Sequence, residues 1–303
     1  QETQPTVFFA VPRIWTKFQM GILSKIPQEK LSKLLNIPVL SWVLKRKFKK
    51  ALGLSKARSI VSGAAPLQET QRTWFRKIGI SITNGYGMTE NCAITTHLGD
   101  GIIDKPGSVG LAQPGVELKI DSETSEILMR GPFMMKEYYK QPELTSEVIK
   151  DSWLHTGDQG HIDTDGFLFI TGRVKDIFKT SKGEYIEPLV LEGYFGDILE
   201  FEQICIVGLG LPQPICLGVL SEIGLVKPKD ELRKYFSDYL EKVNAQLLGY
   251  KKISTLILVK DPWAVENGLM TPTLKIKRNK IDKVYEKNYM NWHKDEANVI
   301  FED

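Results

Sequence analysis

Apolar residues in this chain alternate between two rhythms. Residues 6–11, Thr-Val-Phe-Phe-Ala-Val, form a short apolar run closed by Pro12 and predict a buried strand. Residues 14–22 have helix-like spacing, and residues 37–54 carry an apolar segment that turns basic. Residues 59–62 read as a strand, 63–66 as a loop, 67–77 as a helix and 80–83 as another strand. Strands alternating with helices imply an α/β layout. Between Val109 and Gly172, glycines and short apolar runs predict a β-rich subdomain. Strands at 204–208, 217–220 and 253–258 around a strong helix at 229–247 make the last third a small α+β unit.

Composition narrows the class. With 303 residues and 42% hydrophobic content, the chain can bury one large core or two smaller ones. Lys+Arg number 40 against 37 for Asp+Glu, so no domain-wide positive excess points to nucleic acid. The basic run Lys45-Arg46-Lys47-Phe48-Lys49-Lys50 has two readings. One is a solvated helix face, and the other is a patch in peripheral contact with an anionic membrane. Residues 1–5 lack the features of a signal peptide. The uncharged stretch 203–221 contains Pro212 and Pro214 and reads as two strands and a turn. Cys92, Cys205 and Cys216 cannot all pair and include no CxxC, which fits a reducing cytoplasm; all three read as inert core residues. His97, His155, His161 and His293 are too scattered to suggest a metal site.

Four segments carry candidate chemistry. In Asn84-Gly85-Tyr86-Gly87-Met88-Thr89-Glu90, Gly85 and Gly87 let the backbone approach a ligand, and Tyr86 can stack on a flat base. Thr89 suits a phosphate and Glu90 a hard cation. The plain alternative is a turn before a helix. In Trp153-Leu154-His155-Thr156-Gly157-Asp158, Asp158 can accept from both hydroxyls of a ribose, although Thr-Gly-Asp is also a common turn. Gly172-Arg173-Val174-Lys175-Asp176 sets Arg173 where a nucleotide phosphate or ribose could be held. Thr271-Pro272-Thr273-Leu274-Lys275-Ile276-Lys277-Arg278 is a basic cluster after a turn, which alone is ordinary surface.

In this order and at these spacings the four segments resemble the signature series of the adenylate-forming superfamily, which includes acyl-CoA synthetases, luciferases and adenylation domains of peptide synthetases. The resemblance covers essentially all 303 residues. Ser62-Gly63-Ala64-Ala65-Pro66-Leu67 matches a further adenine-side loop. Val11-Pro12-Arg13-Ile14-Trp15 and Asp176-Ile177-Phe178-Lys179-Thr180-Ser181-Lys182-Gly183-Glu184-Tyr185-Ile186 are similar to long-chain fatty acyl-CoA synthetases, with the bubblegum-type branch among the candidates.

The resemblance implies the C-terminal portion of a large AMP-binding domain over residues 1–174, followed by a small mobile α+β domain over 175–303. It implies fatty acid, ATP and coenzyme A as substrates, AMP as a product and Mg²⁺ as a cofactor. Tyr86 would stack on adenine, with Gly63, Ala64, Ala65 and Pro66 along its edge and Gly85 and Gly87 shaping the turn. Asp158 would bind the ribose and Arg173 the ribose or phosphate. Thr89 would contact phosphate and Glu90 would hold Mg²⁺. Lys275 would stabilise charge on the α-phosphate, and Lys175 would be the hinge that swings either Lys275 or the Gly183 loop toward the nucleotide. Many relatives have glycine where this chain has Leu274, so Lys277 stays open as the catalytic lysine. The family's Ser/Thr/Gly-rich phosphate loop has no match here, which implies that the chain lacks the N-terminal half of its parent and is inactive alone. Two rivals remain: an adenylation domain that loads a carrier protein, and a non-catalytic remnant.

Overall fold

Three short parallel strands begin the fold. β1 (Val7–Ala10) pairs with β2 (Ser59–Ser62), and β2 with β3 (Thr83–Tyr86). Parallel neighbours need long crossovers, and helices supply them. α1 (Pro12–Leu23), α2 (Gln28–Leu35) and α3 (Pro38–Ala51) join β1 to β2, and α4 (Glu69–Lys77) joins β2 to β3. Pro12 and Pro38 open their helices, where a missing N–H costs nothing. β4 (Thr96–His97) and β5 (Leu111–Ala112) continue the sheet antiparallel. This computed structural model describes residues 3–65, 67–97 and 105–302, so Pro66 lies outside the described residues.

The helices build their core around Trp15, whose ring meets Phe8 at 5.5 Å and Phe75 at 5.4 Å, both edge-on. β1 is covered on one face only: Val7 and Phe9 are 65% and 60% exposed, where residues 6–11 had read as a buried strand. A short apolar run does not reveal whether one face or both are covered. Ile80 and Ile82 are buried but precede β3. α4 closes in a Schellman turn, with the Ile80 N–H on Phe75 O and the Gly79 N–H on Arg76 O, and this carries both isoleucines into the core without ladder pairing. The expected strand at 80–83 is thus shifted to 83–86, and Asn84-Gly85-Tyr86 forms the strand itself, not a turn.

The β-rich part follows. β6 (Glu117–Ile120), β7 (Glu126–Arg130), β9 (Trp153–Ile162) and β10 (Leu168–Arg173) form a sheet in the order β10-β9-β7-β6. α5 (Pro142–Val148) leads into β8 (Ile149–Lys150), which pairs with β9. The chain divides into two units within β10, the first ending at Ile170 and the second beginning at Thr171.

In the second unit, β11 (Phe178–Lys179) and β12 (Tyr185–Ile186) make a hairpin, followed by α6 (Pro188–Gly193). β13 (Phe201–Val207), β14 (Ile215–Leu220), β15 (Leu256–Leu258) and β16 (Val299–Phe301) form a four-stranded sheet. Both faces are covered. Ile215, Leu217, Val219 and Ile257 face Ile281, Tyr285 and Tyr289 of α9 (Arg278–Lys294). Cys216, Leu256 and Leu258 face Leu232, Phe236 and Leu240 of α8 (Lys229–Asn244), which follows the short α7 (Glu222–Leu225). The alternation is the two-residue period of a strand. α9 had no counterpart in the sequence reading, although its apolar stripe at Ile281, Tyr285 and Tyr289 repeats every four residues. Cys205 and Cys216 are core residues, whereas Cys92 is exposed, contrary to expectation: a left-handed backbone (φ +57°) after a single 3₁₀ turn turns it outward.

Candidate functional site

Parallel α/β sheets present ligands at the carboxyl ends of their strands. Gly63, Ala64 and Ala65 follow β2, and the Gly87–Glu90 segment follows β3, so both loops lie at that end. A Cβ on Gly63 would stand 3.3 Å from the Gly85 carbonyl and 2.9 Å from the Phe9 ring. The two glycines of the Tyr86 segment differ. A Cβ on Gly87 would come within 2.4–2.5 Å of the Ala93 backbone, so only glycine closes this turn. A Cβ on Gly85 would meet only Val61 Cγ1 at 3.6 Å and Thr96 O at 3.7 Å, which is ordinary contact. Thr89 is exposed on the 3₁₀ turn Thr89–Asn91. Buried Asn91 holds that turn shut: its Oδ1 accepts from the Met88 N–H at 3.0 Å, and its Nδ2 donates to Thr95 Oγ1 at 2.6 Å. Sequence reasoning did not single out Asn91.

Tyr86 and Asp158, 72 residues apart, meet directly. The Tyr86 hydroxyl donates to Asp158 Oδ2 at 2.7 Å, while the ring is buried with Ile127 and Leu168. A bulge in β9 brings Asp158 there. Leu128 of β7 is opposite His155 and Glu126 is opposite Gln159, so residues 156–158 face Ile127 alone. Gly157 takes φ +72°, a left-handed conformation that glycine adopts without Cβ strain. Three polar contacts then lock the bulge. The Thr156 hydroxyl donates to Ile127 O at 2.7 Å, the Gly157 N–H donates to Glu126 Oε1 at 2.8 Å, and the Asp158 N–H donates to Thr156 Oγ1 at 3.2 Å. The second oxygen of Glu126 meets His155 Nδ1 at 2.8 Å. Glu126 is thus a positioning residue that no local motif announced.

Glu90 is held on both sides of its Cα. The Tyr138 hydroxyl donates to Glu90 Oε1 at 2.7 Å, and the Met135 N–H donates to the Glu90 carbonyl at 2.6 Å. Burial first, then the bond to Glu90 and its charge, push the Tyr138 phenol up to about 12. Among the described residues no three His, Cys, Asp or Glu side chains gather as a metal cage. A single oriented carboxylate fits Mg²⁺, which usually takes one or two carboxylates and fills its shell with phosphate and water oxygens.

The remaining candidates belong to the second unit. Arg173 ends β10, and Lys175 is the central residue of the 3₁₀ turn Val174–Asp176. Gly183 (φ +83°) caps the β11–β12 hairpin, its N–H on Thr180 O at 3.0 Å. Lys275 is exposed on a tight turn: Thr271 N–H donates to Lys275 O at 2.8 Å, and Lys275 N–H to Thr271 Oγ1 at 3.0 Å. Leu274 takes φ +61° there, a conformation that favours glycine. Lys277 is less exposed, and its N–H donates to Leu269 O at 2.9 Å. Arg278, one residue on, is partly buried; its Nη2 donates to Glu192 Oε1 at 2.6 Å and its Nε stands 3.8 Å from Asp176 Oδ2. The same guanidinium donates to the Ile206 carbonyl. The segments around Lys175 and Lys275 are therefore tied within one unit.

Residues 1–139 match the family described as AMP-binding enzyme. The chain is 31% identical to long chain acyl-CoA synthetase 2 of Arabidopsis thaliana over 339 residues, covering 94% of this chain and 51% of that protein. It is 30% identical to long-chain-fatty-acid–CoA ligase 5 of Rattus norvegicus, covering 93% of this chain and 48% of that one. The chain spans about half the length of the curated relatives it matches. Among solved structures, it resembles an anthranilate–CoA ligase in complex with anthranoyl-AMP (TM-score 0.67, 23% identity, 93% of this chain and 50% of that one). It also resembles the adenylation domain of a carboxylate reductase from Mycobacterium chelonae (TM-score 0.73, 22% identity, 96% of this chain and 47% of that one). At these identities the structural likeness concerns the fold.

Proposed function

This chain belongs to the AMP-binding enzymes of the adenylate-forming superfamily, and on that premise we propose that its protein is a long-chain fatty acid–CoA ligase. The fatty carboxylate attacks the α-phosphorus of ATP and pyrophosphate leaves. The thiol sulfur of coenzyme A then attacks the acyl carbon of the acyl-adenylate and AMP leaves. The observation that carries this reading is the 2.7 Å contact between Tyr86 and Asp158, which sets an aromatic ring and a carboxylate side by side as an adenosine would need them. Tyr86 serves the base and Asp158 the ribose hydroxyls. Gly63, Ala64 and Ala65 border the base, and Arg173 serves the ribose or phosphate. Thr89 contacts phosphate. Glu90, oriented by Tyr138, would hold Mg²⁺, which neutralises phosphate charge when bound. Lys275 supplies a positive charge where negative charge develops, the kind of interaction that dominates such transfers. Its greater exposure supports it over Lys277, which is partly covered. Lys175 is the proposed hinge and the Gly183 turn the proposed coenzyme A element.

The reading is tested on the protein at full length, incubated with ATP, Mg²⁺ and mixed fatty acids, with product masses recorded. Long-chain acyl-CoA should form with free coenzyme A, and Lys275→Ala should lose pyrophosphate exchange by orders of magnitude. Products formed only on a phosphopantetheine-bearing carrier would favour the adenylation-domain rival. A loss confined to Lys277→Ala would move the catalytic lysine.

A further inference from the structure

Between Glu29 and Glu69 the chain has nine basic residues and not one acidic residue. Most of this charge lies on α3 and on its neighbour α2, which packs against it. Positions Val39, Trp42, Arg46 and Lys50 recur at intervals of 3, 4 and 4 along α3, so they share one face, and all four are exposed. Ser41 and Phe48, on the opposite side, are buried. The exposed face is graded. Its N-terminal end is apolar, with Val39 76% exposed, Trp42 59% and the preceding Ile37 51%. Its C-terminal end is cationic, with Arg46, Lys47, Lys49 and Lys50 within two turns. Arg46 stacks its guanidinium 4.4 Å from the centre of the Trp42 ring, which joins the two halves. Exposed Lys30 and Lys33 of α2 extend the positive field.

We propose that this face of α3, with α2 beside it, is a docking surface for an anionic lipid bilayer. A solvated helix face accounts for the lysines, but it gives no reason for three large apolar side chains to stand together in water at one end. A nucleic acid would use the lysines, yet it has no place for Ile37 and Val39. A bilayer uses both: a tryptophan and aliphatic tips settle among the headgroups and upper acyl chains, while lysines and arginines meet the lipid phosphates. The stripe runs about 17 Å from Val39 to Lys50, long enough to lie along the interface with its apolar end dipped. No helix among the described residues is long and apolar enough to cross a membrane.

The test is co-sedimentation of the full-length protein with phosphatidylcholine vesicles containing about 30 mol % phosphatidylserine, a composition that gives a negative surface potential. The wild type should bind these vesicles, bind pure phosphatidylcholine far less, and release as salt is raised. Trp42→Ala should weaken partitioning about tenfold, and Arg46→Glu with Lys50→Glu should abolish it. All of these side chains are exposed, so the variants should melt with the wild type, and their catalytic rates on soluble substrate should match. Failure of the wild type to bind, equal binding to neutral vesicles, or unchanged binding by both variants overturns the proposal. So does retention of a single-stranded RNA oligonucleotide without binding to vesicles.

Discussion

The Tyr138 hydroxyl donates to Glu90 Oε1 at 2.7 Å, so the proposed Mg²⁺ carboxylate does not swing freely. Tyr138→Phe removes that donor while keeping the ring. In the full-length enzyme the Mg²⁺ concentration for half-maximal adenylation should rise roughly three- to tenfold, the range of one hydrogen bond to a charged group partly replaced by water. Saturating Mg²⁺ should restore the rate. An unchanged Mg²⁺ dependence would separate Tyr138 from the metal.

The same pair makes a pH prediction. The Tyr138 phenol is raised from about 10 to about 12, with burial as the largest cause. A raised acid contributes stability that is complete below the unfolded value and is lost as pH rises through the folded one. The stability difference between wild type and Tyr138→Phe should therefore be constant below about pH 10 and shrink between about 10 and 12. Urea melts across that range measure it. A difference that stays flat to pH 12 would contradict the assignment.

Gly87 and Gly85 should respond oppositely to one methyl group. Gly87→Ala drives a Cβ to 2.4–2.5 Å from the Ala93 backbone, and Gly85→Ala meets nothing closer than 3.6 Å. Gly87→Ala should cost roughly 1–3 kcal/mol, as overpacking does, and should weaken AMP binding in calorimetry. Gly85→Ala should remain within about 1 kcal/mol of wild type. Equal costs would mean that the Thr89–Asn91 turn relaxes more readily than its contacts allow.

Leu274 occupies the left-handed region at φ +61° with an exposed side chain. A non-glycine residue there costs roughly 1–2 kcal/mol, and glycine returns part of the gain as unfolded-chain entropy. Leu274→Gly should thus stabilise the second unit by about 0.5–1 kcal/mol, and Leu274→Val should destabilise it. Denaturant unfolding followed by tryptophan fluorescence checks both signs.

Arg278 and Glu192 form a partly buried ion pair at 2.6 Å, and the Glu192 carboxylate also accepts the Ile206 N–H at 2.9 Å. Arg278→Met strands that carboxylate and should cost roughly 1–3 kcal/mol. Arg278→Met combined with Glu192→Gln should recover much of the loss, because no partly desolvated charge is left unpaired. Asp176→Asn, at 3.8 Å from the guanidinium, should cost far less. If the double variant is no better than the single one, the pair is not the source of the stability.

Lys175→Pro in the full-length enzyme tests the proposed hinge. Proline fixes φ in the Val174–Asp176 turn. One half-reaction should then keep its rate while the other collapses, read separately as pyrophosphate exchange and as thioester formation from supplied acyl-adenylate. Normal rates for both would remove Lys175 from that role.

What the sequence by itself determined is local. Hydrophobic period located the strand 59–62, the helix over most of 67–77 and the helix from Lys229 onward, because period and propensity act over a few neighbouring residues. Residue type singled out Tyr86, Glu90, Asp158 and Lys275 as candidates in the same way, since each stands in a short motif. Tertiary structure decided the rest. Tyr86 reaches Asp158 across 72 residues only because β9 bulges opposite Ile127, and Glu126 locks that bulge from another strand. Tyr138 finds Glu90 across 48 residues, and Arg278 finds Glu192 across 86. Such pairings depend on which strands become neighbours and in what register, and register is a property of the whole sheet. Burial followed the same rule: Phe9 and Trp42 are as apolar as Phe75, yet they stand exposed while Phe75 lies in the core, because cover comes from distant chain.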